Sequence, residues 1–141
     1  MRRWHDGIGE LLVEGREEAP VTLRIAASSR TRARGLLGRD GIDGAMLLTP
    51  CNSVHTFRMR FPIDVAYLDR GLRVLAVHTL RPGRLGMVRV RARHVLEAEA
   101  GSMAEWGVVP GVRVSVVVAG AAPGAARGRR KGRNQDSGPA C

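Results

Sequence analysis

Residues 51–69, with the sequence CNSVHTFRMRFPIDVAYLD, constrain the fold more than any other stretch of the chain. Apolar and polar side chains alternate along it, as they do on a β-strand, where successive side chains point to opposite faces. One predicted face carries Cys51, Ser53, His55, Phe57, Met59, Phe61 and Ile63, and the other carries Asn52, Thr56, Arg58, Arg60 and Asp64. The stretch therefore predicts a half-buried strand, interrupted by a bulge or an edge at Pro62, which has no N–H to donate.

Shorter strand patterns surround this stretch. They lie at residues 10–13, 21–26, 46–48, 63–68, 73–80, 94–99 and 112–118, with a weaker pattern at 87–91. Two short helices are predicted, at 29–37 after a capping serine and at 102–107, because a serine hydroxyl can accept a hydrogen bond from the first helical turn. These patterns predict a mainly β fold, sandwich-like or barrel-like, with two short helices.

The domain organisation follows from length and composition. A chain of 141 residues has room for one domain. We place it at residues 9–119, after a flexible N-terminus at residues 1–8. Residues 120–141 consist mainly of Ala, Gly, Pro, Arg and polar residues, which bury too little apolar surface to offset the entropy of ordering. We therefore expect a disordered basic tail.

The formal net charge is +10, and residues 127–133 hold five of the cations. Weak, non-specific attachment to nucleic acid through this tail is one functional hypothesis. Two cysteines do not form a disulfide framework, no secretory pattern follows the basic N-terminus, and no apolar run is long enough for a membrane helix. We expect a cytoplasmic protein without a membrane partner.

Several motifs resemble one known family. They are Arg34-Gly-Leu-Leu-Gly-Arg39, Gly44-Ala-Met-Leu-Leu48, the stretch from His55 to Asp69, and Val95-Leu-Glu-Ala-x-x-Gly101. Their order and spacing over residues 20–118 resemble the bacterial and archaeal family known as domain of unknown function 192. The resemblance implies a compact β-rich fold and no established activity. The chain departs from the family by carrying Phe57-Arg58 where a Trp is common, and by a short loop at 81–87, which would leave a pocket more open.

The ligand-binding candidates are Asn52, His55, Met59, Asp64 and Glu97. Polar side chains gather around His55, as they do in binding pockets. The leading hypothesis is a non-enzymatic module that binds a small ligand or a partner protein on the concave side of the sheet.

Asp64 lies among apolar residues and needs a partner if it is buried. We expect either a structural role, as an ion pair with Arg34 or a turn cap, or catalysis together with Glu97 and His55 in a hydrolase-like enzyme. Cys51 and His55 would lie about 13 Å apart on a strand, too far to share a metal ion. No metal and no cofactor are predicted.

Overall fold

Seven strands form one sheet in the computed structural model, which describes residues 3–119. The strands are β1 (Gly7–Val13), β2 (Val21–Ala26), β3 (Ala45–Leu48), β4 (Ile63–Leu68), β5 (Val74–Leu80), β6 (His94–Glu99) and β7 (Val114–Val118). Two short helices complete this part of the chain, α1 (Ser29–Arg34) and α2 (Ser102–Trp106). The predicted mainly β fold with two short helices is confirmed, whereas the predicted tail lies outside the described residues.

The sheet curls so that its edges meet at one end. Its order is β5-β4-β6-β3-β2-β1-β7, and β2 and β3 form its parallel pair. The start of the β5 edge bonds to the segment at the start of β7, through Val74 N to Val112 O at 2.8 Å and Val114 N to Leu72 O at 3.0 Å. The curled sheet therefore has an inner and an outer face.

Each face carries its own hydrophobic core. The inner core draws on all seven strands and includes Leu11, Leu23, Leu47, Leu68, Leu96 and Val116, with Met103 of α2 packed against them. The outer core lies between the sheet and the loops that cover it and includes Leu36, Met46, Met59, Phe61, Val65 and Tyr67. Because strand side chains alternate between faces, one residue of register decides which core a side chain enters.

The chain is anchored from Asp6 onward, three residues earlier than predicted. Asp6 accepts hydrogen bonds from the backbone of Ala27 and Ser28 and from the hydroxyls of Ser28 and Thr31. Although partial burial opposes ionisation, these hydrogen bonds lower the pKa of Asp6 to about 2. β1 then begins at Gly7, so the predicted flexible segment 1–8 ends too late.

Helix α1 has the predicted serine cap but is shorter than predicted. Ser28 is the N-cap and accepts from Thr31 N. The helix ends at Arg34 because Gly35 adopts a positive φ of 44°, which favours glycine.

The predicted strand over 51–61 is wrong. This segment is irregular and has one isolated bridge, from His55 to Leu85. Thr56 is drawn into the interior because its hydroxyl donates to Arg81 O at 2.6 Å, and its N–H donates to Arg84 O at 2.7 Å. Phe57 consequently turns outward and is 47% exposed. The weaker pattern at 87–91 is not a strand either, since those residues lie in the loop that holds Thr56.

Candidate functional site

The two predicted carboxylates lie on opposite faces of the sheet. In the pairing of β4 with β6, Asp64 is opposite Ala98, while Glu97 is opposite Val65. Directly paired residues share a face and neighbours on one strand do not. Asp64 therefore points to the inner face and Glu97 to the outer face. The prediction of a hydrolase-like site with Asp64, Glu97 and His55 is wrong, because the sheet itself separates the two carboxylates.

Asp64 is a structural cap. It is 3% exposed and accepts hydrogen bonds from Thr79 Oγ1 at 2.6 Å, Gly101 N at 2.9 Å and Met103 N at 3.1 Å. The two N–H donors belong to the start of α2, whose N-cap residue Gly101 has no side chain to satisfy them.

The predicted ion pair between Asp64 and Arg34 is not formed. Within residues 3–119 the salt bridges are Arg16–Glu18 and Arg60–Asp40. Arg34 ends α1 on the outer side of the sheet, two residues before Leu36 enters the outer core, whereas Asp64 faces inward. Of the two structural roles expected for Asp64, the structure therefore shows the cap.

The environment of Glu97 differs from that of Asp64. It lies between Met46 of β3 and Val65 of β4 on the outer face and is 2% exposed. Neither of the two salt bridges in the described part of the chain involves its carboxyl group. Burial raises its pKa from 4.5 to about 7, because the charged form is poorly solvated there. The Glu97 carboxyl group therefore gains or loses its proton near neutral pH.

Tyr67 is the polar neighbour of Glu97 on this face. It pairs with Val95, two residues along β6 from Glu97, and is 1% exposed. Burial raises the pKa of the phenol, the charge of Arg89 lowers it and the charge of Glu97 raises it further. Sequence reasoning missed Tyr67 as a site residue, although its place in β4, two residues after Val65, puts it on the face of Glu97.

A cation lies beside Tyr67. The guanidinium carbon of Arg89 is 5.6 Å from the centre of the Tyr67 ring. Arg89 Nη2 also donates to His78 Nε2 at 2.8 Å, which fixes that histidine nitrogen as an acceptor because arginine can only donate. Arg89 and His78 were missed as well, because His78 is brought near Tyr67 by the pairing of β4 with β5, and Arg89 by the loop after β5.

Two loops cover the outer face at Glu97 and Tyr67. Residues 49–62 and 81–93 are joined by backbone hydrogen bonds, among them Gly86 N to Val54 O at 2.8 Å and Arg89 N to Asn52 O at 2.9 Å. The Tyr67 hydroxyl lies directly under Gly86, where an added Cβ would be 2.7 Å from it. The covering layer therefore fits closely over the phenol, and only glycine allows this approach.

The remaining predicted residues lie in or under these loops. His55 is half-buried, stacks on Phe57 with ring centres 5.1 Å apart, and has a buried Nδ1 without a hydrogen-bond partner. Met59 belongs to the outer core, and Asn52 is exposed. The expected position on the concave side is wrong for this group, because Glu97 and Met59 lie on the outer face.

Cys51 and His55 do not have the spacing of strand residues, because the segment that holds them is irregular. Among residues 3–119, no group of three or more His, Cys, Asp or Glu side chains is placed to hold a metal ion. The same residues contain no helix with the length and apolar character needed to cross a membrane.

Comparison with known structures supports the fold. A crystal structure of a proposed transcription regulator from Sinorhizobium meliloti 1021 aligns with a TM-score of 0.68 and 19% identity, covering 82% of this chain and 98% of that one. A protein of unknown function from Novosphingobium aromaticivorans DSM 12444 aligns with a TM-score of 0.65 and 20% identity, covering 77% and 84%. At these identities the likeness shows the fold alone.

Comparison by sequence shows the family. The UPF0127 protein PH1112 of Pyrococcus horikoshii is 36% identical over 84 residues, which are 56% of this chain and 73% of that protein. The model of domain of unknown function 192, described as an uncharacterized ACR, matches residues 11–116. The chain belongs to this family.

Proposed function

We propose that this protein is a small-ligand-binding module whose ligand contacts Glu97 and Tyr67 on the outer face of the sheet. The observation that carries the proposal is a carboxyl group in a residue that is 2% exposed, that is in no salt bridge within residues 3–119 and whose pKa burial raises to about 7. Buried polar groups in folded proteins are almost always paired, and an unpaired one lowers stability. A role in binding explains a buried carboxyl group that lowers stability better than a role in packing does.

The chemistry of the group restricts the ligand. An ionised carboxylate accepts hydrogen bonds or pairs with a cation, so the ligand presents an amine, amidine, amide or hydroxyl to Glu97. The phenol of Tyr67 and the unpartnered Nδ1 of His55 offer further polar contacts on the same side of the sheet. Met59, Val65 and Met46 provide apolar surface, as in most small-ligand pockets.

A ligand reaches Glu97 by parting the covering loops. The layer is held by a few backbone hydrogen bonds between two irregular segments, not by a continuous ladder of strands. Such segments open at lower free energy than core strands. The short loop at 81–87 is therefore the expected point of entry.

The test is a thermal-shift screen of small amines, amides and polyols against the parent and Glu97→Gln. The matched control is Glu99→Gln, which changes an exposed glutamate on the same strand and the same face. Ligands of this site are expected to raise the Tm of the parent and of the Glu99 variant, and to bind Glu97→Gln at least about tenfold more weakly, a difference of about 1.4 kcal/mol. Ligands that bind all three proteins equally would place the site elsewhere.

Partner-protein binding stays a prediction. It is supported by the loop after β5, where Leu85, Met87, Val88 and Val90 are 71%, 74%, 62% and 81% exposed. Contiguous exposed apolar side chains often mark interaction surfaces. The cytoplasmic location and the role of the tail in nucleic-acid attachment also stay predictions, and the tail lies outside the described residues.

A further inference from the structure

A concave site lies at one end of the sheet, apart from Glu97. It is a groove of about 690 Å³ between the segment before β1, the ends of β2 and β3, the β4–β5 turn and the start of β6. We call it the basic groove and define it by Arg3, Trp4, Thr49, Arg70, Arg93 and His94. Its volume lies in the range of about 300–1,000 Å³ that small-ligand sites occupy.

Positive charge dominates the basic groove. Arg3, Arg70 and Arg93 line it, and none of them is in a salt bridge within residues 3–119. Two carboxylates lie close by, and both are engaged with backbone N–H groups: Asp69 accepts from Gly71 and Arg73, and Asp6 from Ala27 and Ser28. The three guanidinium groups therefore leave an excess of positive charge facing the groove.

The floor of the groove is a neutral, fixed imidazole. His94 is 6% exposed, its Nδ1 is 2.7 Å from Thr49 Oγ1, and the ring also hydrogen-bonds to the backbone of Arg70. Burial lowers the pKa of His94, so the ring is uncharged at neutral pH. The floor therefore ties β3 to the β4–β5 turn and adds no charge of its own.

Trp4 gives the groove a flat apolar wall. Its ring meets His94 edge to face, with ring centres 5.4 Å apart, so the indole orientation is set by the floor. A half-buried indole beside arginines offers both stacking and charge to one ligand.

The groove continues past Arg93. A smaller cavity of about 240 Å³ shares Pro50 and Arg93 with it and adds Arg32 and Asn52. Arg32 is held in place because its Nη1 donates to Pro50 O at 2.8 Å. Asn52, predicted from the sequence to contact a ligand, thus lies next to the basic groove.

We infer that the basic groove binds a small organic anion in which a planar ring carries a phosphate or carboxylate group. The guanidinium groups of Arg70 and Arg93 bind the anionic group, since arginine matches the geometry of both anions with paired hydrogen bonds. The ring of the ligand packs on Trp4. This site is independent of the proposed ligand site, whose buried carboxyl group would repel an anion.

The experiment uses Trp4 as the reporter. The chain has two tryptophans, so Trp106→Phe leaves Trp4 as the single one. Phenyl phosphate and benzoate are the anionic probes, benzamide is the neutral probe and inorganic phosphate is the probe without a ring. Emission of Trp4 is titrated with each.

The expected result is a saturable change with phenyl phosphate, benzoate or both, and binding of benzamide and inorganic phosphate at least tenfold weaker. The preferred anion distinguishes phosphate from carboxylate ligands. Arg93→Gln and Arg70→Gln are each expected to weaken anion binding at least tenfold. The control Arg91→Gln removes an exposed arginine two residues from Arg93 and is expected to change binding less than twofold.

Three results would overturn the inference: no saturable change with either anion, equal binding of benzamide, or equal weakening by Arg91→Gln and Arg93→Gln, which would indicate unspecific charge attraction. Arg93 bonds to Leu68 and Cys51 through its backbone, so its substitution keeps those contacts. If circular dichroism shows that Arg93→Gln is unfolded, Arg70→Gln decides the outcome.

Discussion

Asp64 and Glu97 are two buried carboxyl groups on adjacent strands with opposite environments. Asp64 faces the inner core and accepts three hydrogen bonds, two of them from the start of α2. Glu97 faces the outer core and is in no salt bridge in the described residues. Both are single acidic residues within apolar strands of the sequence. They differ because the inner side of the sheet provides N–H donors from α2, whereas the outer side provides apolar side chains.

The two carboxyl groups are expected to have different roles, a structural one for Asp64 and a binding one for Glu97. A carboxylate with its hydrogen bonds satisfied stabilises the fold, and removing it leaves orphaned donors. A buried carboxyl without an ion pair lowers stability, so its removal should stabilise the protein and abolish binding, as at many functional sites. The four predictions below test this contrast.

The largest expected effect is the pH dependence caused by Glu97. Its pKa is raised from 4.5 to about 7 in the folded state, so between these values the folded protein holds a proton that the unfolded chain releases. The free energy of unfolding should therefore fall as the pH rises through this window, by about 3 kcal/mol in total. Urea denaturation from pH 4 to 8 measures it.

Glu97→Gln should remove that pH-dependent loss and be more stable than the parent at pH 8. Glu99→Gln, the exposed control on the same strand, should keep the loss. Equal pH profiles for the parent and Glu97→Gln would mean that the Glu97 carboxyl is solvated or paired in solution.

The next effect is the loss of the α2 cap. Asp64→Ala should lower the free energy of unfolding by roughly 1–3 kcal/mol, because Gly101 N and Met103 N lose their acceptor in the interior. Chemical denaturation at pH 8 measures it next to Glu97→Gln. The change in the free energy of unfolding is expected to be negative for Asp64→Ala and positive for Glu97→Gln. An Asp64→Ala variant as stable as the parent would show that the two carboxyl groups do not differ in this way.

A smaller effect is expected at Thr79, which donates to Asp64 Oδ1 at 2.6 Å. Thr79→Val keeps the shape of the side chain and should cost about 0.5–1 kcal/mol. In the Asp64→Ala background it should cost less, since the shared hydrogen bond is already gone. Additive losses in this double-mutant cycle would show that Thr79 acts through other contacts.

The smallest effect on stability is expected at Tyr67. Tyr67→Phe keeps the buried ring and its packing, so the free energy of unfolding should stay within about 0.5 kcal/mol of the parent. Tyr67→Phe should also weaken the binding of any ligand that contacts Glu97. A large loss of stability with unchanged ligand binding would assign the phenol to the fold and not to the site.

The sequence by itself determined the strands that have a clear pattern and clear ends. The bounds 21–26, 63–68 and 94–99 agree with β2, β4 and β6, because apolar runs bounded by turn residues are local signals. The capping Ser28 and the mainly β class were also readable.

Tertiary structure decided the rest. The alternation over 51–61 was overridden when Thr56 bonded to the carbonyls of Arg81 and Arg84, partners some 25 residues away that no local pattern reveals. The register between β4 and β6 set Asp64 and Glu97 on opposite faces, since a shift of one residue reverses the face of every side chain in a strand. The same register brought Tyr67 onto the face of Glu97, and the loop after β5 brought Arg89 to the Tyr67 ring.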